Sequence, residues 1–249
     1  MKLLNASQIR EWDQYTIQNG PASSIDLMER AATACVDWIL QNFPDHSFDI
    51  FCGTGNNGGD GLAIARLFAY KTSDVRVFTV NTGAKKSEDF LTNIDRLRKI
   101  SSVNTVELSP DTLLPPSPKS AIIIDALLGT GLNRPVEGFT ATIVNHINNL
   151  PNKVIAIDMP TGLQSDTYSA GAVIIQADYT LTFQNLKLAL LMPGNAGYFG
   201  QVHVLDIGLD PGYLSTVESK YELTGKVLFH SFYKPRKHYA HKGNFGHAL

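Results

Sequence analysis

Cysteine is scarce in this chain: its 249 residues include two, Cys35 and Cys52. Both fall in segments patterned as helix and strand, so they read as buried thiols rather than as a disulfide, and no Cys/His set suggests zinc. That usage suits a reducing compartment, and the cytoplasm is the expected location. Long apolar runs are also missing. None approaches 18 residues, and Met1-Lys2-Leu3-Leu4-Asn5 carries one positive charge with no long apolar stretch, so neither a membrane span nor a signal peptide is expected. Charge of one sign is lacking too. With 21 Lys+Arg against 23 Asp+Glu, the net charge of −2 makes no field that would draw nucleic acid. What remains is the composition of an ordinary globular protein, long enough to bury a substantial core in one α/β domain.

Against that plain background stands Phe51-Cys52-Gly53-Thr54-Gly55-Asn56-Asn57-Gly58-Gly59-Asp60-Gly61, in which five of eleven residues are glycine. An apolar run from Phe48 leads in, and Leu62 to Phe68 leads out with helical spacing. A buried strand, a tight turn and a helix N-terminus in this order bring backbone N–H groups towards an anion. Gly53, Gly55 and Gly58 fit the G-x-G-x-x-G dinucleotide fingerprint, although a glycine-rich turn with no ligand would use the same residues. One element of that fingerprint is absent. The next strand, Val75–Val80, ends at Asn81, where an acid for a ribose hydroxyl would stand. Asp60, in the first helical turn, suits the helix dipole but would repel a pyrophosphate on the same amides. The loop is built for neutral polar groups, a cation, or a phosphate held to one side.

Around this loop the chain alternates. Helices are expected at 5–19, capped by Asn5, and at Ile25–Asn42, capped by Ser24. Strand 75–80, helix 87–100, strand 103–108, strand 121–125, helix 138–149 and strand 153–158 follow, then strands 177–183 and 201–206. The pattern implies an α/β fold: a three-layer, Rossmann-like sandwich with a mostly parallel central sheet and helices on both faces. Ligands of such folds bind beyond the carboxyl ends of the strands. Two further strands end in oxygen-rich loops. One is Ala121–Ile124 with Asp125, then Gly129-Thr130-Gly131-Leu132-Asn133-Arg134-Pro135. The other is Val154–Ile157 with Asp158-Met159-Pro160-Thr161-Gly162. A carboxylate closing a buried strand is costly unless it meets a partner or solvent, and helix capping would also explain Asp125. Strand 177–183 runs into Gln184-Asn185-Leu186-Lys187, whose lysine reads equally as a site residue or a solvated one. The basic end, with Arg236 and His241-Lys242-Gly243-Asn244-Phe245-Gly246, has the composition of a solvated tail.

Taken together, these strings resemble the NAD(P)H-hydrate epimerase family, the YjeF N-terminal domain. The resemblance rests on Gly53 to Gly61, Leu27-Met28-Glu29-Arg30-Ala31, the Asp125 and Asp158 segments, Thr182-Phe183 with Lys187, and the closing run Gly200 to Gly208. It covers roughly residues 1–215. Thr54, Thr161 and Leu186 stand where the family usually has proline, serine and proline. Residues 216–249 then resemble a linker and the opening of an ADP-dependent NAD(P)H-hydrate dehydratase domain. This implies the first half of a bifunctional repair enzyme, cut just inside its second domain and without dehydratase activity.

The implied reaction is interconversion of the R and S epimers of NADHX and NADPHX, nicotinamide cofactors hydrated at C6. The resemblance assigns Asn56, Asn57, Gly58, Gly59, Asp60, the segment Gly129 to Pro135, and Asp158 to the substrate. It assigns Asn57, Asp125 and Thr161 to a K⁺ ion, and Asp158 with Lys187 to acid/base work. It also implies a homodimer or larger assembly through the N-terminal helices. Two other readings stay open: an NAD(P)-dependent oxidoreductase, which a ribose-binding acid at position 81 would favour, and a non-catalytic nucleotide-binding module, against which Asp158 and Lys187 speak.

Overall fold

In a computed structural model, residues other than 72–73, 82–84, 101, 170, 234–237 and 241–249 are described. The chain opens with a two-residue strand, β1 (Lys2–Leu3), and two helices, α1 (Ala6–Asn19) and α2 (Ser24–Asn42). Asn5 caps α1 by a reciprocal pair of bonds with Gln8, at 2.9 and 3.1 Å. The cap of α2 is Ser23, one residue earlier than expected. Asp26 stands at the third helical position from Ser23 and completes the same reciprocal box, which frees the Ser24 hydroxyl to donate to Asp89 at 2.6 Å.

The apolar runs pair into one seven-stranded sheet. Its strands are β2 (Ser47–Cys52), β3 (Val75–Val80), β4 (Asn104–Leu108), β5 (Ala121–Ala126), β6 (Val154–Ile157), β7 (Tyr179–Phe183) and β8 (Gln201–Leu205). They lie in the order β4-β3-β2-β5-β6-β7-β8, and every described pairing is parallel. The strands read as continuous apolar runs because both faces are covered. On one face α2, α3 (Asn56–Ala69) and α4 (Glu88–Leu97) pack on Ile50, Ile122, Ile124 and Ile157, with the Phe48 and Phe68 rings stacked 4.2 Å apart. On the other face α5 (Gly138–Asn148) packs on Phe51, Phe78, Ile123 and Ala156 through Val144 and Ile147. The alternation of Ile122, Ile123 and Ile124 between the two clusters follows from the pleat.

Right-handed crossovers decide which face each helix takes. From β2 the chain steps outward to β3 and β4. It then returns to pair β5 on the other side of β2 and continues to β8. That reversal places the switch point between β2 and β5, with Phe51 opposite Asp125 and Cys52 opposite Ala126. From β6 to β7 there is no helix among the described residues. Short turns and α6 (Ala196–Phe199) connect β7 to β8.

After β8 come α7 (Gly212–Thr216), β9 (Tyr221–Glu222) and α8 (Lys226–Phe232). β9 pairs antiparallel with β1, and the Lys2 ammonium donates to the carbonyls of Leu214 and Val217, both at 2.8 Å. Residues just past 215 therefore lie against the N-terminal segment. Arg236 and His241 to Gly246, which carry the dehydratase-like match, lie outside the described residues.

Candidate active site

The glycine loop is shaped by how closely β2, α3 and the segment after β5 approach one another. An added Cβ on Gly58 would overlap the carbonyl oxygen of Gly53, and one on Gly53 would overlap the carbonyl oxygen of Leu127. Gly55, by contrast, has open space where its Cβ would stand. The loop is thus tight against its own scaffold and open towards a cleft, as a backbone-approach site requires. The cleft measures about 1410 Å³ and lies over the switch point. This exceeds the roughly 300–1,000 Å³ of small-ligand pockets.

Asp158 stands at the floor. Its N–H continues the ladder by donating to the Leu181 carbonyl at 2.8 Å, after which the chain turns with Asp158 at φ 65°. A non-glycine residue in this region is uncommon, and aspartate is among the types that tolerate it. Gln184, at φ 59°, is the other such residue among the described ones, and it turns the chain at the end of β7. The two unusual backbones flank one pair of side chains. The bend at Gln184 carries Lys187 back to the strand end it has just left, where the lysine is 1 % exposed. Its ammonium donates to Asp158 Oδ1 at 2.7 Å, Thr182 Oγ1 at 2.8 Å and the Phe183 carbonyl at 2.9 Å. These bonds use all three of its protons. Lys187 is therefore no solvated lysine. The other Asp158 oxygen accepts from the Thr130 N–H at 3.3 Å.

Burial raises the Asp158 carboxyl, but the Lys187 charge and the hydrogen bonds from Lys187 and Thr130 outweigh it and hold the group below the usual carboxylate range. Asp158 is an anion here. Asp60 behaves oppositely: burial first, then the charges of Asp158, Asp13 and Asp89, push it well above its ordinary value.

Beneath the loop after β5, Asp125 is fully buried. Its oxygens accept from the Thr161 N–H at 2.8 Å, the Thr161 hydroxyl at 2.6 Å and the Leu127 N–H at 3.2 Å. These are neutral donors, and burial outweighs them, so the carboxyl is pushed up to about 6. Asn57, in the first turn of α3, is buried, and both polar atoms of its side chain lack a hydrogen-bond partner among the described residues. Its Cγ lies 3.2 Å from where a Gly129 Cβ would stand, and Asp158 Oδ2 lies 3.3 Å from the same point. Asp125 is thus a buried carboxyl with no cationic partner, and Asn57 a buried amide with no partner of its own; oxygen donors of this kind suit a hard cation. No set of three or more His, Cys, Asp or Glu positioned for a metal occurs among the described residues.

Of the residues singled out from the sequence, Asn56, Asn57, Asp60, Gly129 to Pro135, Asp158 and Lys187 line the cleft. Gly58 and Gly59 do not; they are buried in α3, where they let it approach the Gly53 backbone and Met28. Asp125 and Thr161 are fully buried and do not line the cleft. Sequence reasoning missed Ile9, Arg10 and Asp13, which α1 brings to the rim. The available signal was spacing: Asp13 stands one turn after Ile9 on the apolar side of α1.

Parallel strands in this order, with a cleft over the switch point floored by a buried Lys–Asp pair, define a Rossmann-type α/β protein with a large cleft at its switch point. The chain belongs to the family described as YjeF-related protein N-terminus, which matches residues 24–189. It is 37 % identical over 204 residues to the NAD(P)H-hydrate epimerase of Limosilactobacillus fermentum, covering 82 % of this chain and 95 % of that one. It is 30 % identical over 256 residues to the bifunctional NAD(P)H-hydrate repair enzyme Nnr of Moorella thermoacetica, covering all of this chain and 48 % of the relative. The crystal structure of the yeast protein YNL200c shares the fold, with a TM-score of 0.67 at 18 % identity over 91 % of this chain and 98 % of that one.

Proposed function

We propose that this chain interconverts the R and S epimers of NADHX and NADPHX at C6 of the hydrated nicotinamide ring. The observation that carries the reading is the Lys187–Asp158 pair, buried at the floor of a large cleft in a chain that aligns with named epimerases along nearly their whole length. Inverting a carbon that bears both a hydroxyl and a ring nitrogen requires that a bond at C6 break and re-form. That calls for a proton donor, a base and a counter-charge for what develops between them. An ionised Asp158 supplies the base and part of the counter-charge. Lys187, with its three protons engaged, keeps that carboxylate charged and aimed.

In this reading Asn56 to Asp60 and Gly129 to Pro135 hold the substrate, with Gly58 and Gly59 acting through backbone approach. Asn57, Asp125 and Thr161 would hold a K⁺ ion. Such an ion would supply fixed positive charge below the loops that carry the substrate's polar groups. The redox alternative has no acid at position 81 to hold a ribose hydroxyl. Relatives that continue into a second repair activity make a dehydratase domain the expected neighbour in a longer chain. A cytoplasmic homodimer is the expected form. The test is chiral HPLC or NMR of an R/S NADHX mixture enriched in one epimer, with and without protein. Equilibration faster than the spontaneous rate supports the reading, and an unchanged rate overturns it.

A further inference from the structure

Asp13 is a carboxyl that no motif marks. It stands on α1 one turn after Ile9, so the two share a face, and both line the cleft. The helix is pinned on either side of it. The Trp12 indole N–H donates to the Asp210 carbonyl at 2.6 Å, and the Thr16 hydroxyl accepts from the Asp210 N–H at 2.9 Å. The Asp13 carboxyl itself has no hydrogen-bond partner among the described residues. Facing it around the cleft are Asp60 of α3, Asp158 after β6 and Lys187 after β7, and Arg10 lines the rim one turn earlier on α1. Burial, then the Asp158 charge, push the Asp13 carboxyl up to about 6 against the pull of Lys187. Of the three carboxyls lining the cleft, Asp158 is held ionised, Asp60 is pushed well above its ordinary value, and Asp13 lies between them, carrying a proton part of the time near neutral pH. Environments that separate two carboxyls in this way mark an acid and a base.

Resting on the epimerase reading, we propose that Asp13 is the proton donor of the reaction, paired with Asp158 as the base. The C6–O bond breaks, and its electron pair leaves with the oxygen, which takes the Asp13 proton and departs as water. The lone pair of the ring nitrogen forms the C6=N bond, giving a planar cation among the carboxylates. Water adds to the opposite face of C6, and the C6=N pair returns to nitrogen. The surplus proton of that water passes to Asp158, and cleft water returns it to Asp13. Nothing is oxidised or reduced, and one water leaves as another enters.

The experiment follows epimerisation from pH 5 to 9 in wild type, Asp13→Asn and Asp13→Glu, with NADH binding and melting temperature measured on each. In wild type, kcat/KM should fall as pH rises above about 6, because the donor must hold its proton. Asp13→Asn should lower kcat about 10²-fold or more, the scale of one acid/base group, and abolish that limb. Its NADH affinity should stay within about threefold and its melting temperature should not fall, because the amide carries no charge to bury. Asp13→Glu should keep the limb and recover part of the rate. Epimerisation in ¹⁸O water should place the label at C6. An active wild type with a near-normal Asp13→Asn variant, the same pH limb in that variant, or product without ¹⁸O overturns the assignment while leaving the epimerase reading intact. An inactive wild type removes the reading and the assignment together.

Discussion

The Lys187 ammonium sits 2.7 Å from the Asp158 carboxylate, almost wholly out of solvent, and its other two protons go to Thr182 and Phe183. Removing the lysine would strand a buried carboxylate. Lys187→Met should therefore cost about 3–5 kcal/mol in urea unfolding, the range for breaking a buried pair. The double variant Asp158→Asn/Lys187→Met should lose much less than the sum of the singles, because the stranded charge is gone. Strict additivity would show that the two groups do not act as a unit.

Asp60 gives a prediction in pH. Its folded pKa lies well above the unfolded value, so the native state binds more protons than the unfolded state between the two. Stability from this site is accordingly greatest below the unfolded value and declines as pH rises towards the folded one. Asp60→Asn should raise the melting temperature more at pH 8 than at pH 4.5. An equal gain at both pH values would mean that Asp60 is not the buried acid responsible.

Two glycines of the loop should separate folding from binding. Gly58→Ala places a methyl against the Gly53 backbone and should destabilise by about 1–3 kcal/mol or more. Gly55→Ala meets nothing in the protein, so melting should change little while the KM for NADHX rises. Denaturation curves and initial rates read the two effects, and a Gly55→Ala variant with unchanged KM would place the substrate away from this loop.

The cation assignment rests on Asn57, Asp125 and Thr161. Thr161→Val removes the hydroxyl that donates to Asp125 at 2.6 Å, at a stability cost of about 1 kcal/mol. Half-saturation by K⁺, measured against a tetramethylammonium background, should shift at least tenfold by loss of one charge-linked contact, roughly 1.4 kcal/mol. An identical K⁺ response in the variant would contradict the assignment.

Much of the fold was legible because strand and helix periods, turn glycines and capping residues are local signals. The parallel sheet follows from the alternation of apolar runs with helical segments, and the Asp158 turn from Pro160 and Gly162. Lys187 was ambiguous for a physical reason. Gln-Asn-Leu-Lys is polar along the chain, and only the reversal at Gln184 and three acceptors drawn from separate positions make a dry site for it. The direction of the Asp158 pKa was equally hidden, since desolvation and the lysine charge oppose each other and their balance depends on a distance. Helix spacing puts Asp13 on the face of Ile9 but not at the cleft, because tertiary packing sets where α1 crosses it. The β1–β9 pair is two residues long and carries no periodicity to read.

On the proposed reading, Asp158 performs proton exchange at C6 rather than holding the substrate. The most direct test of that role is the rate of R-to-S NADHX conversion in Asp158→Asn, measured beside NADH binding as an unreactive mimic. The rate should fall about 10²-fold or more with binding nearly unchanged. A near-normal rate, or a loss of NADH affinity that accounts for the whole fall, would contradict it.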